Sequence, residues 1–505
     1  MVELDGKTLT IEKLVEIARG KSRIIISEKS KAGIVESRKI VERMFKNKEV
    51  AYGTTTGIGE LARVILTPEQ AKEFSRYIIY SHAGGYGDPL SDDVVRATIA
   101  SRLNVLSKGV SGVRLEVVEF VADMLNRGVT PVMYPASVGA CGDLAPQAQA
   151  MLVPIGEGEA FYRGERLPGR EALARAGLEP ISYAIRDGLA MINGSNLIAG
   201  LGALEVHDAD VLVKTAEVTA AMSFEALRAV TAAFDHELLS LRGFDGGIEC
   251  ADNIRRLING SEILVKQERV QDAYSIRSTP QVIGAVKDAL KWIRKQVEIE
   301  LNAGADNPLF IPNEHGGRYI AGANFQGTPV ALPLEMLCTS ITTLSVLSER
   351  RLNRLENQNL SAGLPAFLIN GAGIYTGMMI PQYTAGSLVT ENRMLSTPTA
   401  VGSIPAAADQ EDFVSMGTNT AIKARKIIDN TAAVVAIELM AAAQALDLRG
   451  GKPGAGVAAA HALVRDHVKF LDKDRPLYPD IERLAKLVKS GAVLEAAEGR
   501  IGRLR

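Results

Sequence analysis

Apolar positions along this chain fall into two regimes. Over residues 1–110 they form short runs broken by glycine-rich turns, with Ile24 to Ile26 and Val50 to Gly53 reading as strand-like pieces between helical patterns. From residue 111 to 505 the 3–4 spacing of helices dominates, and it predicts long helical segments at 199–242, 282–302, 334–357 and 419–448. Most helices of globular proteins run about three turns, whereas segments of ~20–30 residues span roughly 30–45 Å. Such lengths suit a bundle of long antiparallel helices. The pattern therefore predicts a mainly α protein: a smaller mixed α/β N-terminal part over 1–110, then a helical-bundle domain over 111–505. Glycine- and proline-rich connections at 131–146, 303–329, 361–383 and 395–409 separate the helices. They hold most of the residues able to do chemistry, as expected where a rigid scaffold presents loops. A helix end is expected at Arg449, followed by a loose glycine-rich stretch from Gly450 to Gly456.

Composition narrows this only a little. The 505 residues are 47% hydrophobic and 23% charged, with a net charge of −2, which gives no footprint for nucleic acid or an anionic membrane. The first thirty residues carry many charges and no signal-peptide core. The longest apolar stretch, Ala432 to Leu446, contains Glu438 and Gln444 and is too short and polar for a membrane span. A cytoplasmic enzyme is the expectation. The three cysteines and six histidines show no metal-ligand spacing, so no metal is expected. Gly53, Gly57 and Gly59 do not fit G-x-G-x-x-G, and no phosphate loop is expected.

The most informative segment is Gly139-Ala140-Cys141-Gly142-Asp143-Leu144-Ala145-Pro146. Three small residues let the backbone fold tightly on itself. The Gly142 amide nitrogen could then attack the Ala140 carbonyl carbon, with loss of water, to close a five-membered ring. Elimination of the Cys141 side chain would leave an exocyclic methylene, an electrophile made from the chain itself. Glycine at 142 suits this because no Cβ obstructs the approach.

This segment resembles the prosthetic-group loop of the aromatic amino acid ammonia-lyases, G-A-S-G-D-L-x-P, with cysteine in place of serine. The resemblance covers nearly the whole chain. It implies the all-helical architecture shared with fumarase and aspartase, and a methylidene-imidazolone (MIO) group built from Ala140, Cys141 and Gly142. Tyr52, in Tyr52-Gly53-Thr54-Thr55-Thr56-Gly57-Ile58-Gly59, resembles the family's base for the substrate β-proton. A phenol has a reference pKa near 10, so nearby positive charge or dipoles are expected to lower it. Ser81-His82 resembles the pair that marks histidine lyases, where an imidazole can bond the substrate ring. Asn193-Gly194 resembles L-x-N-G, whose Asn lies near the substrate's amino or carboxylate group. Gln271-Asp272-Ala273-Tyr274-Ser275-Ile276-Arg277 resembles Q-D-x-Y-S-x-R, implying Arg277 as a bidentate carboxylate clamp, Gln271 beside it and Tyr274 near the prosthetic group. Phe325, in Gly322-Ala323-Asn324-Phe325, is implied to line the pocket. Ser348-Glu349-Arg350-Arg351 resembles a family string too, and reads as a solvated or interface face. Glu411, in Gln410-Glu411-Asp412-Phe413-Val414-Ser415-Met416, is a second vote for histidine, although Asp409, Phe413 and Gln149 depart from the histidine-lyase pattern.

The expected reaction is elimination of ammonia from L-histidine to give urocanate. The alternatives are a phenylalanine or tyrosine lyase, a 2,3-aminomutase, or a catalytically silent helical scaffold. The resemblance also implies a homotetramer whose active sites combine residues of several subunits.

Overall fold

The computed structural model describes residues 1–264, 269–371 and 373–505; Ala372, within the expected connection at 361–383, lies outside them. It is mainly helical. The long helices are Asn196–Ala226, Thr279–Leu301, Thr328–Glu356 and Gly417–Arg449, of 31, 23, 29 and 33 residues. The last ends at Arg449 as expected, with Gly450 in a left-handed conformation after it.

The first long helix stops sixteen residues short of the expected end at 242. Arg228 takes a left-handed backbone (φ 54°), and the Ala229 N–H reaches back to the Phe224 carbonyl at 2.8 Å. This is a Schellman-type stop made without glycine, so composition gives no warning of it. Two short helical pieces, Thr231–Phe234 and His236–Ser240, follow. The strand-like reading of Val50 to Gly53 also fails. Thr54 and Thr55 donate their amides to the Ala51 carbonyl, and the Thr55 hydroxyl accepts from Ala51 N–H at 2.8 Å, folding the segment into turns. Ile24–Ile26 is a strand, paired in parallel with Val2–Leu4. Two further small antiparallel sheets join Val129–Pro131, Glu159–Tyr162 and Glu165–Pro168, and Leu309–Ile311 with Arg318–Ile320.

The chain divides into two compact units. One holds Met1–His207, Arg294–Glu335 and Pro398–Ile422; the other holds Asp208–Ile293, Met336–Thr397 and Lys423–Arg505. Four of the five cuts fall inside a long helix, and the fifth falls just after the helix Met379–Leu395. The division does not fall at the boundary expected near residue 110. There the chain stays tied to its own unit: the Phe310 N–H bonds the Val110 carbonyl at 2.7 Å, and Gly109 packs against the Gly33 backbone.

Thr328–Glu356 and Gly417–Arg449 are long and apolar enough to cross a membrane by length and composition, but 67% and 83% of their most apolar windows are buried within the protein. Buried apolar helices are core helices here. Two charged side chains are folded into that core. Arg351 and Glu438, both fully buried, pair through Nε–Oε1 at 2.6 Å and Nη2–Oε2 at 2.8 Å. Ser223 and Ser348 donate to the same carboxylate. The Ser348-Glu349-Arg350-Arg351 run is thus not a solvated face: Ser348, Glu349 and Arg351 are buried, and only Arg350 reaches solvent.

Candidate active site

The first unit assembles its site from three loops, each running into a helix N-terminus. Helices Leu144–Leu152, Asn196–Ala226 and Gly417–Arg449 begin directly after segments 139–143, 193–195 and 415–416. Their first turns direct N–H groups without a partner inside the helix, and partial positive charge, toward the loops. The 139–143 loop is pinned to both of the others. Gly142 forms a parallel bridge with Gly194, the Gly194 N–H bonds the Cys141 carbonyl at 3.2 Å, and Asp143 N–H bonds the Gly194 carbonyl at 3.0 Å. On the other side, Met416 N–H bonds Val138 O at 3.0 Å and the Ser415 hydroxyl bonds Gly139 O at 3.1 Å. Gly142 sits at φ +79°, and a Cβ there would fall inside the Gly194 backbone. Only glycine fits such an approach.

Asp143 is wholly buried. It accepts from the Thr418 hydroxyl at 2.6 Å and the Ile198 N–H at 3.0 Å, fastening the loop to two helix starts. Burial nevertheless pushes its carboxyl up to about 6.

A cavity of about 320 Å³ opens onto this loop. Tyr52, His82, Cys141, Asn193 and Glu411 line it together, with Leu144, Leu189, Ile58 and Leu61 as an apolar wall. The apolar wall went unnoticed in the sequence, although Ile58 lies in the Tyr52 string; Leu61, Leu144 and Leu189 look like any core leucine. The Tyr52 hydroxyl accepts from the Gly59 N–H at 3.0 Å. Its phenol is pushed up, not lowered as expected: burial dominates, Gly59 and Arg186 favour the phenolate, and Cys141 and Glu411 oppose it. The Cys141 thiol lies 2.9 Å from Glu411 Oε1 and donates to it. Burial and that carboxylate raise the thiol well above its usual range, so it remains protonated.

His82 ends the helix Pro68–His82, which starts with a capping box between Thr67 and Gln70. Its Nδ1 lies 2.8 Å from the Ile78 carbonyl, a pure acceptor, so that nitrogen carries the hydrogen and Nε2 is left to accept. Burial lowers its pKa, keeping the ring neutral. Ser81 does not line the cavity; its hydroxyl lies 3.0 Å from His82 Nδ1, supporting the ring from behind. Gln149 accepts from Tyr134 N–H at 2.9 Å and donates to Gly85 O at 3.2 Å, tying down the turn after His82. Asn193 donates to the Asn307 carbonyl at 2.7 Å, while its buried Oδ1 has no partner. The segment Asp306-Asn307-Pro308 thereby supports Asn193, and is held in turn by Arg186 and Arg102 on Asp306 at 3.0 and 3.1 Å.

The other expected residues are not in this cavity. Phe325 is half-buried and does not line it; its carbonyl accepts from the Ser195 hydroxyl at 2.6 Å. Gln271, Tyr274 and Arg277 belong to the second unit, where Gln271 and Arg277 line a cleft with Arg242, Ser278 and Gln281. The Arg277 guanidinium stacks 4.7 Å from the Tyr274 ring, its buried Nε has no partner, and Tyr274 is 72% exposed. Among the described residues no group of three His, Cys, Asp or Glu is arranged to hold a metal.

Known proteins resemble the chain along its whole length. A family model described as aromatic amino acid lyase matches residues 9–466. A histidine ammonia-lyase of Caldanaerobacter subterraneus subsp. tengcongensis is 46% identical over 498 residues, covering 98% of this chain and 97% of that protein. Among solved structures, a tyrosine aminomutase from Streptomyces globisporus superposes with a TM-score of 0.96 at 36% identity, covering 100% of both chains. A histidine ammonia-lyase from Trypanosoma cruzi superposes at 0.92 with 35% identity, covering 98% and 95%. These likenesses bear out the expected fold class, and the chain belongs to the aromatic amino acid lyase family.

Proposed function

We propose that this carbon–nitrogen lyase eliminates ammonia from L-histidine to give urocanate, and that its electrophile is a 4-methylidene-imidazol-5-one derived from Ala140, Cys141 and Gly142. The observation that carries this is the convergence of Tyr52, His82, Cys141, Asn193 and Glu411 on one cavity. The loop fits the group: Gly142 leaves no side chain in the way of its own nitrogen, and Asn193, which lines the same cavity, keeps a buried Oδ1 without a partner. Ring closure would join Gly142 N to the Ala140 carbonyl carbon with loss of water. Loss of the Cys141 α-proton and of the sulfur as hydrogen sulfide then gives the double bond, with no oxidant required. Once present, the group supplies a neutral electrophile for the substrate amine, making ammonia a competent leaving group.

The chain's own residues do the rest. Tyr52 takes the β-proton, its phenolate favoured by the Gly59 N–H and by Arg186. His82 Nε2 accepts from one imidazole N–H, while Glu411 binds the other side of the ring or a protonated ring. Asn193 positions the amino or carboxylate end. The three helix starts favour phenolate and bound anions. Gln271, Tyr274 and Arg277 of one copy serve Tyr52 and Cys141 of another within a homotetramer, Arg277 clamping the carboxylate and Phe325 closing the pocket. The exposed Tyr274 and unpartnered Arg277 Nε support this. The substrate is a small amino acid, with no role for nucleic acid or membrane, and the cytoplasm is the proposed compartment.

The likeness to a tyrosine aminomutase favours one second reading, since a phenol can also donate to His82 Nε2. Incubation with histidine, tyrosine and phenylalanine separates the two, through product ultraviolet spectra and β-amino acid analysis. Urocanate should form fastest; a urocanate rate no better than the coumarate or cinnamate rate defeats the histidine assignment.

A further inference from the structure

The second unit contains a cleft that involves none of the residues assigned above. It encloses about 400 Å³ and is lined by Asn353, Glu356, Asn357, Phe367, Gln382 and Tyr383 among others, with no lysine, arginine or histidine. Glu356 is only 4% exposed, yet its Oε1 has no hydrogen-bond partner. It is also the last residue of the helix Thr328–Glu356. A carboxylate there is doubly disfavoured, because it is desolvated and it faces the partial negative charge of the helix C-terminus. A cation is the species such a position favours.

Neighbouring groups point the same way. Glu349, two turns earlier on the same helix, accepts from Gln382 at 2.6 Å and pairs with Arg350. The segments that line the cleft with Glu356, at 366–367 and 379–383, bring no titratable side chain except Tyr383. Amide side chains supply carbonyl oxygens, and Phe367 and Tyr383 supply aromatic faces suited to an aliphatic stem or a cation. We propose that this cleft binds a small primary alkylammonium ion, its head on Glu356 and the amide oxygens and its stem against Phe367 and Tyr383. Burial and the Glu349 charge hold the empty Glu356 carboxyl at about 9. The ligand must therefore displace a proton below that pH, and its affinity rises as the carboxylate becomes available.

The test is calorimetric titration of the full-length protein with n-butylammonium chloride at pH 7, 8 and 9. Binding should tighten about tenfold from pH 7 to 8 and about fivefold from pH 8 to 9, and about one proton should be released per ligand at pH 7, read from buffers of different ionisation heat. Glu356→Gln should abolish binding while leaving lyase activity unchanged. Binding that persists in Glu356→Gln overturns the proposal. The wild-type series decides it even where that variant fails to fold: no binding, or an affinity flat between pH 7 and 9, overturns it equally.

Discussion

Cys141 is held in place by contacts that do not need sulfur. Its carbonyl and the Gly142 backbone are clamped by Gly194, and the loop on either side is clamped by Ser415, Met416 and Asp143. An oxygen at the same position meets the same surroundings, so Cys141→Ser should retain elimination, whereas Cys141→Ala should abolish it. The tryptic peptide across 131–146 should be lighter by one water and one hydrogen sulfide in active wild-type protein; an unmodified peptide in active protein sinks the ring proposal. At this scale the sequence was most readable where a residue's chemistry is carried by its own short string. Tyr52, His82, Asn193 and Glu411 were singled out that way, and they share one cavity. Ser81 and Gln149 were harder to place. Their contacts, with the His82 ring and the Gly85 carbonyl, depend on how a helix ends, which spacing does not encode.

Among the elements, Thr328–Glu356 and Gly417–Arg449 show how an ion pair can be structural. Arg351 and Glu438 are fully buried, and the carboxylate takes four donated hydrogen bonds. Removing one partner strands the other charge in the core. Glu438→Leu and Arg351→Leu should therefore each cost about 3–5 kcal/mol, and the double variant should recover much of that loss. Urea unfolding of the three proteins checks this; additive losses would show that the pair is not the cause. Periodicity located the long helices to within a few residues at most ends, because an apolar stripe sets their length. It overran 226, where Arg228 does the work of a glycine. It also read a charged run as a solvated or interface face, because a sequence shows the charge and not its partner 87 residues away.

For the whole molecule, pH matters through carboxyls that folding buries. Asp143 is raised to about 6, and Glu225 and Glu300 to about 7, in each case chiefly by burial. An acid whose folded pKa exceeds its unfolded value favours folding only while protonated. Its contribution is complete below about pH 4 and is lost as pH rises through 6 to 7. For Asp143 alone that is about 3 kcal/mol. Asp143→Asn should gain about 2 kcal/mol on wild type between pH 4 and 6 in urea melts, and a constant difference would refute the linkage. The shared-site proposal has its own check: Tyr52→Phe and Arg277→Ala, each inactive alone, should regain part of the activity when co-expressed, and none should appear if every site belongs to a single chain. The contact between Cys141 and Glu411 adds a matter of timing. Until the sulfur departs, the oxygen proposed to greet the substrate is already engaged by the chain's own thiol at 2.9 Å. Under the proposed ring closure, a newborn chain carries a built-in plug, and the event that arms the enzyme is the same one that vacates its seat for histidine.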